Sequence, residues 1–227
     1  MRYGAPVRRR HLGPGSGFVT VALILLLASV TSPSLAQQQN LVNERSRLAF
    51  SIGFHGFVDD DMESTYGMLP VLGLRWTAPL GPQSQFLLGV GYAFDKGDPY
   101  YGVTDFETDE DARLRVVPIE LGVRVDTARQ PTRAFYLGTA IEYLWAREEG
   151  PTGDTWGAAD GGWVARSGWG WGAKVLAGPE WQFARGRWAL GCEVSLALRK
   201  LSLQPSDERH ALDLSGLCCK AYVSARL

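Results

Sequence analysis

The sequence predicts an all-β protein, an eight-stranded antiparallel up-and-down transmembrane β-barrel. Three observations carry that expectation. After residue 36, apolar and other residues alternate with period two in eight separate segments, the mark of a strand with two different faces. The second face is mostly Gly, Ala and Ser with single charges of both signs, not the Lys, Glu, Thr and Gln of a water-facing sheet. The connections alternate between long polar ones and tight ones, as in a barrel with loops on one side of a membrane and short turns on the other.

The first thirty-six residues stand apart. Arg8, Arg9 and Arg10 precede an apolar stretch from Phe18 to Val30, and Ser34-Leu35-Ala36 precedes a run of Gln. A positive flank, a short apolar core and small residues before the cut make a secretory signal peptide, removed after Ala36. A retained signal anchor is the alternative, but the run falls short of the roughly 20 residues a membrane helix needs. No Cys follows the apolar core, so no lipid-anchored product is expected. Residues 1–36 are therefore read as a cleaved signal peptide and 37–227 as the outer-membrane barrel domain. The 227-residue chain has 23 basic and 24 acidic residues, and the leader takes four Arg and no acid, leaving 19 against 24, a net charge of −5. That acidic remainder argues against a nucleic-acid partner, which wants a basic patch.

In the first strand Leu48, Phe50, Ile52 and Phe54 alternate with Ala49, Ser51, Gly53 and His55. The second sets Met68, Leu72, Leu74, Trp76 and Leu80 against Val71, Gly73, Arg75 and Thr77. Phe86, Leu88, Val90, Tyr92 and Phe94 then oppose Gly89, Gly91, Ala93 and Asp95. The fourth has Val117, Ile119, Leu121, Val123 and Val125 against Pro118, Glu120, Gly122 and Arg124. In the fifth, Phe135, Leu137, Ile141, Tyr143 and Trp145 face away from Gly138, Ala140 and Glu142. The sixth places Trp169, Trp171, Val175, Trp181 and Phe183 against Gly170, Gly172, Lys174, Gly178 and Glu180. Trp188, Leu190, Val194, Leu196 and Leu198 oppose Gly191, Glu193, Ser195 and Arg199 in the seventh. Leu217, Cys219, Ala221, Val223 and Leu227 oppose Lys220, Tyr222, Ser224 and Arg226 in the last.

A soluble barrel or sandwich alternates too, so the polar face decides which side is inside. An eight-stranded lumen is just wide enough to be filled by side chains, which suits small residues and a few charges, while a continuous apolar face suits lipid. A soluble periplasmic barrel is the structural alternative. The long connections run from Asp59 to Tyr66, Lys96 to Ala112, Arg147 to Ser167 and Gln204 to Ala211, all read as polar loops. The tight ones fall at Gly81-Pro82, Gln130-Pro131 and Ala184-Arg185-Gly186. Aromatics gather at both strand ends: Trp76, Phe86, Phe135, Trp181 and Trp188 by the tight turns, and Tyr92, Phe94, Tyr143, Trp145, Trp169 and Trp171 by the long connections. Such rings prefer the membrane–water interfaces, so a double girdle is expected.

On these features the chain resembles the eight-stranded outer-membrane barrels, such as the transmembrane domain of outer membrane protein A and the opacity-type surface proteins, over residues 46–227. The resemblance implies an outer-membrane location and a monomer. Outer-membrane lipid, lipopolysaccharide and the barrel-assembly machinery, engaged through the C-terminal strand, are the partners it implies. In that group the last strand usually ends in Phe; here the spacing Leu217, Cys219, Ala221, Val223, Ala225, Leu227 ends in Leu. The peptidoglycan-binding domain of longer relatives is expected to be absent.

The inward charges are the most informative polar set. Glu120, Glu142, Glu180 and Glu193 are expected to pair with Arg75, Arg124, Lys174, Arg199 and Lys220, because a desolvated charge is tolerable only when paired. Such pairs would plug the lumen; a narrow conducting pore with rings of charge is the alternative. Two acidic runs, Asp59, Asp60, Asp61, Glu63 and Asp105, Glu107, Asp109, Glu110, Asp111, read as solvated loops. The second places Glu110 where a calcium loop needs Gly, though either could bridge divalent cations to lipopolysaccharide phosphates. Cys192, Cys218 and Cys219 are odd in number and lack a Cys-x-x-Cys pair, indicating neither a disulfide framework nor zinc. Cys192 and Cys219 could meet across a hairpin if the register allowed it; otherwise all three are small apolar fillers. No cofactor or metal is expected.

A lipid-modifying barrel enzyme would need a Ser–His pair with an acid. His55 and His210, with Ser64 or Ser206, are the available groups, and no Gly-x-Ser-x-Gly elbow is present. The Gly-Trp-Gly-Trp-Gly run at Gly168 to Gly172 suggests a carbohydrate platform, but its spacing puts both Trp on the lipid side. The expected role is structural or surface-interacting, with a small-solute channel as the competing class and an enzyme third.

Overall fold

The computed structural model describes residues 46–97, 112–130, 132–151, 163–204 and 210–227. The leader 1–36 and the acidic stretch Asp105 to Asp111 lie outside them. The elements are β1 (Arg47–Phe57), α1 (Asp60–Tyr66), β2 (Met68–Pro79), β3 (Ser84–Gly97), β4 (Ala112–Gln130), β5 (Arg133–Pro151), β6 (Trp163–Phe183), β7 (Trp188–Gln204), β8 (His210–Asp213) and β9 (Gly216–Arg226). Each of β1 to β7 pairs antiparallel with the next, and β9 closes the ring between β7 and β1. The fold is a closed, eight-staved, all-antiparallel barrel.

The eighth stave is interrupted rather than single. Leu203 faces His210 and Leu196 faces Leu217, so β8 and β9 keep one register against β7 across a break at Leu214–Ser215. There side chains compete with the ladder. Asp213 Oδ1 accepts from the Ser215 amide at 2.9 Å, and Ser215 Oγ accepts from the Arg199 amide at 3.0 Å.

Along the middle of the wall the apolar residues point outward. Phe50, Ile52, Leu74, Ile119, Leu137 and Leu190 are all exposed, at 45–56 %. Together they form a continuous apolar belt, far beyond the isolated patches a water-facing surface carries. Inward positions are buried or half-buried, so the belt is an outer surface and the barrel is inside-out.

Beyond the belt, at the long-connection end, the pattern changes phase. Leu198 is the last outward apolar residue of β7; Lys200 and Ser202 then face outward and Leu201 and Leu203 are buried within. On β4, Arg113 and Arg115 face out while Leu114 and Val116 are buried; on β5, Arg147 faces out while Leu144 and Ala146 are buried. This end of the wall is built like a soluble barrel, polar outside and apolar inside. The physical reason is solvent: where water replaces lipid outside, the hydrophobic effect puts the apolar face within.

The connection from Asp59 to Tyr66, expected to be a polar loop, is a helix. Asp59 caps α1 by accepting from the Met62 amide at 3.0 Å, and three acids occupy the first turn, where the helix dipole favours them. Gly67, at φ 60, ends it by donating to the Glu63 carbonyl at 2.8 Å. Met62 and Tyr66, one turn apart, are buried in the cluster of Phe57, Leu69, Leu114, Leu201 and Leu214. The turn joining β6 to β7 is also unusual, since Ala184 (φ 50), Arg185 (φ 57) and Gly186 (φ 76) are all left-handed.

Candidate functional site

The barrel interior is organised in tiers. The long-connection half is the apolar cluster under α1. Below it runs a chain of charges of alternating sign: Glu193, Arg75, Glu120, Lys174, Glu142 and Arg199. Arg75 donates Nε to Glu120 Oε1 at 2.6 Å and Nη2 to Glu193 Oε1 at 2.9 Å, and Nη1 also contacts Glu193 Oε2. Lys174 Nζ contacts Glu120 Oε2 and lies 3.3 Å from Glu142 Oε1. Arg199 grips Glu142 with both Nε and Nη2, at 2.6 and 2.9 Å. Three carboxylates thus meet three cations, and every member of the chain except the partly buried Arg75 is buried.

A second, separate pair sits nearer the short turns. Arg124 Nη2 donates to Glu180 Oε2 at 3.0 Å, its Nε donates to Gln85 Oε1 at 3.1 Å, and its guanidinium lies 4.6 Å over the Tyr136 ring. Tyr222 Oη donates to the same Glu180 oxygen at 3.0 Å. Ala49, Leu87, Tyr136, Leu176 and Tyr222 pack around it as a second apolar cluster. Lys220 faces Glu193 across β9 and β7, but that carboxylate is taken by Arg75. Among the described residues Lys220 makes no ion pair. It borders a small cavity of about 20 Å³ with Arg47, Ser51, Arg75 and Glu193, room for a single water.

The reach of these side chains across the barrel depends on small neighbours. A Cβ at Gly89 would collide with the Glu120 carboxylate, and one at Gly172 would lie 2.9 Å from Arg199 Cγ. Each glycine stands between a charge and its partner, so the side chain passes over bare backbone. The inward glycines are therefore a readable signal for where a long charged side chain crosses.

His55 is buried, its Nε2 3.1 Å from the Leu214 carbonyl oxygen. Ser64, on the exposed side of α1, donates Oγ to the Asp61 carbonyl at 3.0 Å. The described residues therefore bring no Ser–His pair together; the His210 side chain and Ser206 lie outside the described residues. Cys192 stands opposite Ala221 and Cys219 opposite Val194, so the register leaves the two offset by two positions, and all three thiols are free. Trp169 and Trp171 point outward, at 56 and 66 % exposure, against the Tyr143 ring. Trp145, Tyr92 and Phe94 border the same end, and Trp76, Phe86, Phe135, Trp181 and Trp188 the other. What sequence reasoning missed is the apolar upper tier: Leu69, Leu114, Leu144, Leu201, Leu203 and Leu214 are all buried within.

No family model matches the sequence, and no curated protein matches it. Solved structures do match in fold. Outer membrane protein OprG from Pseudomonas aeruginosa is 10 % identical, with 81 % of this chain and 96 % of that one covered at a TM-score of 0.51. A major outer membrane protein from Thermus thermophilus is 11 % identical over 81 % of this chain and 98 % of its own, at 0.50. Neisserial surface protein A is 11 % identical over 80 % and 96 %, also at 0.50. The architecture is that of the eight-stranded outer-membrane β-barrels.

Proposed function

We propose that this chain is an integral outer-membrane barrel with a sealed interior, in a structural or surface-interaction role rather than a conducting or catalytic one. The observation that carries the reading is the apolar tier. Fifteen buried residues, from Phe57 to Cys218, fill the long-connection half of the interior and close it under α1. A pore needs a wetted path through that half, and a packed apolar cluster excludes water. The charge chain below it is internally neutralised, which favours a plug over a selectivity ring. The exposed apolar belt and the fold shared with outer-membrane proteins support the location, with the long connections outside and the tight turns in the periplasm. Lipid and lipopolysaccharide would surround the belt, and the outward apolar edge of β9 suits recognition by assembly machinery. A monomer satisfies the ring that β9 closes between β7 and β1, which leaves no strand edge open along the belt.

The test is heat-modifiability on a gel for the detergent-extracted outer-membrane fraction, followed by planar-bilayer recording. The expected outcome is a mobility shift between boiled and unboiled protein, with no discrete conductance steps. Steps altered by Glu142→Gln would make the lumen a channel. Recovery in the soluble periplasm without a shift would replace the membrane reading by a soluble barrel.

A further inference from the structure

The cavity beside Lys220 lies between the charge chain and the Arg124–Glu180 pair, and register explains why space is left there. The inward positions of β1 are small: Gly53 stands opposite Lys220, Ser51 opposite Tyr222, and Ala49 opposite Ser224. On β2, Gly73 stands opposite Ser51. Tyr222 is the large inward side chain within reach of this floor. It leans the other way, over Gly191 of β7, where a Cβ would collide with its ring. The space that remains, about 20 Å³, is lined by Ser51, Lys220, Arg75 and Arg47, and by Glu180 and Glu193.

The lining is not neutral. Glu193 gives both oxygens to Arg75, and Glu180 accepts from Arg124 and Tyr222. Asp126, the other buried carboxylate at this end of the interior, does not line the cavity; its amide donates to the Gln83 carbonyl by the tight turn. Arg47 donates to neutral oxygens, the Gly186 carbonyl at 2.9 Å and Ser224 Oγ at 3.5 Å. Both carboxylates of the lining are thus matched by Arg75 and Arg124. Lys220, half-buried and without an ion pair among the described residues, is left with no counter-charge.

A lone ammonium held away from bulk water is costly unless an opposite charge joins it. A water in the cavity solvates the ammonium but leaves its charge in place. A monatomic anion of about water's size does both, whereas phosphate or sulfate is too large for a one-water space. We infer that this cavity is a halide site, with chloride as its natural occupant, Lys220 as its cation and the Ser51 hydroxyl as a donor. The inference goes beyond the structural role proposed above. It does not rest on the membrane reading, since a soluble barrel would enclose the same cavity.

The experiment follows urea unfolding of the folded, detergent-solubilised protein by tryptophan fluorescence, in sodium chloride or in sodium gluconate at matched ionic strength. The midpoint is expected to rise with chloride along a saturating curve that bromide reproduces. With halide about ten times above its dissociation constant, the folded-to-unfolded ratio should gain about tenfold over gluconate. Lys220→Met should abolish the gain, while Arg187→Gln, which removes an exposed charge from the β6–β7 turn, should keep it. Equal midpoints in the two salts, a gain that survives Lys220→Met, or its loss in both variants overturns the site. Should Lys220→Met not fold, wild-type crystals soaked in sodium bromide are read instead. Anomalous density in the lumen beside Lys220 and Ser51 is expected, and its absence there overturns the assignment.

Discussion

Glu120 and Glu142 stand directly opposite each other on β4 and β5, two inward carboxylates in one register, and Lys174 from β6 reaches between them. Arg75 holds the far side of Glu120 and Arg199 the far side of Glu142. Facing carboxylates in a dry interior are costly, and the arrangement is stable only because a cation lies at every gap.

Lys174→Met is therefore expected to destabilise the barrel by about 3–5 kcal/mol, since it leaves two buried carboxylates sharing no cation. The measurement is the urea midpoint of the folded barrel, read by heat-modifiability. Adding Glu120→Gln should restore part of the loss by removing one of the two charges. Unchanged midpoints in both variants would mean that the charge chain does not hold the interior together.

The phase change of the wall makes opposite demands on neighbouring regions. Leu121, outward at the middle of the belt, is expected to cost about 2–4 kcal/mol when replaced by Arg, while Arg115, six residues earlier and also outward, is tolerated because it lies past the girdle. Leu144, inward and wholly buried in the upper tier, should lose about 2–5 kcal/mol on replacement by Ala. Refolding into lipid vesicles with urea titration checks both substitutions. A cheap Leu121→Arg beside a costly Leu144→Ala would put water, not lipid, around the belt.

Ala184 adopts φ 50 in the β6–β7 turn, a conformation that strains any residue with a Cβ. Ala184→Gly is expected to stabilise the barrel by about 0.5–1 kcal/mol, the relief of left-handed strain less the greater freedom of glycine in the unfolded chain. Gly186→Ala, at φ 76, should do the reverse. Thermal or urea midpoints moving the other way would show that the turn is held by its contacts rather than by backbone preference.

Much of the barrel is legible in residue types alone. Period-two alternation is a local property, so eight staves, their outward residues and the inward set of charges follow from it. The alternating lengths of the connections follow in the same way. The helix α1 carries fainter signals. Asp59 as cap, Gly67 as stop, and Met62 and Tyr66 one turn apart all mark it, but seven residues with two apolar ones look like an acidic loop. The upper tier is hidden for a related reason. Leu201 and Leu203 break the parity of Leu196 and Leu198, and a reading that takes one phase per strand loses the point where lipid ends.

Residue order alone settles which residues belong to each face of each stave along the belt, because the side-chain period is set by the backbone. Which charge meets which was decided only by the tertiary structure. Glu193 lies opposite Lys220 in the ladder but gives both oxygens to Arg75 from across the barrel. Long flexible side chains in a narrow closed lumen choose partners by reach over bare glycine backbone, and that reach is set by the closure of the ring, which no local pattern encodes.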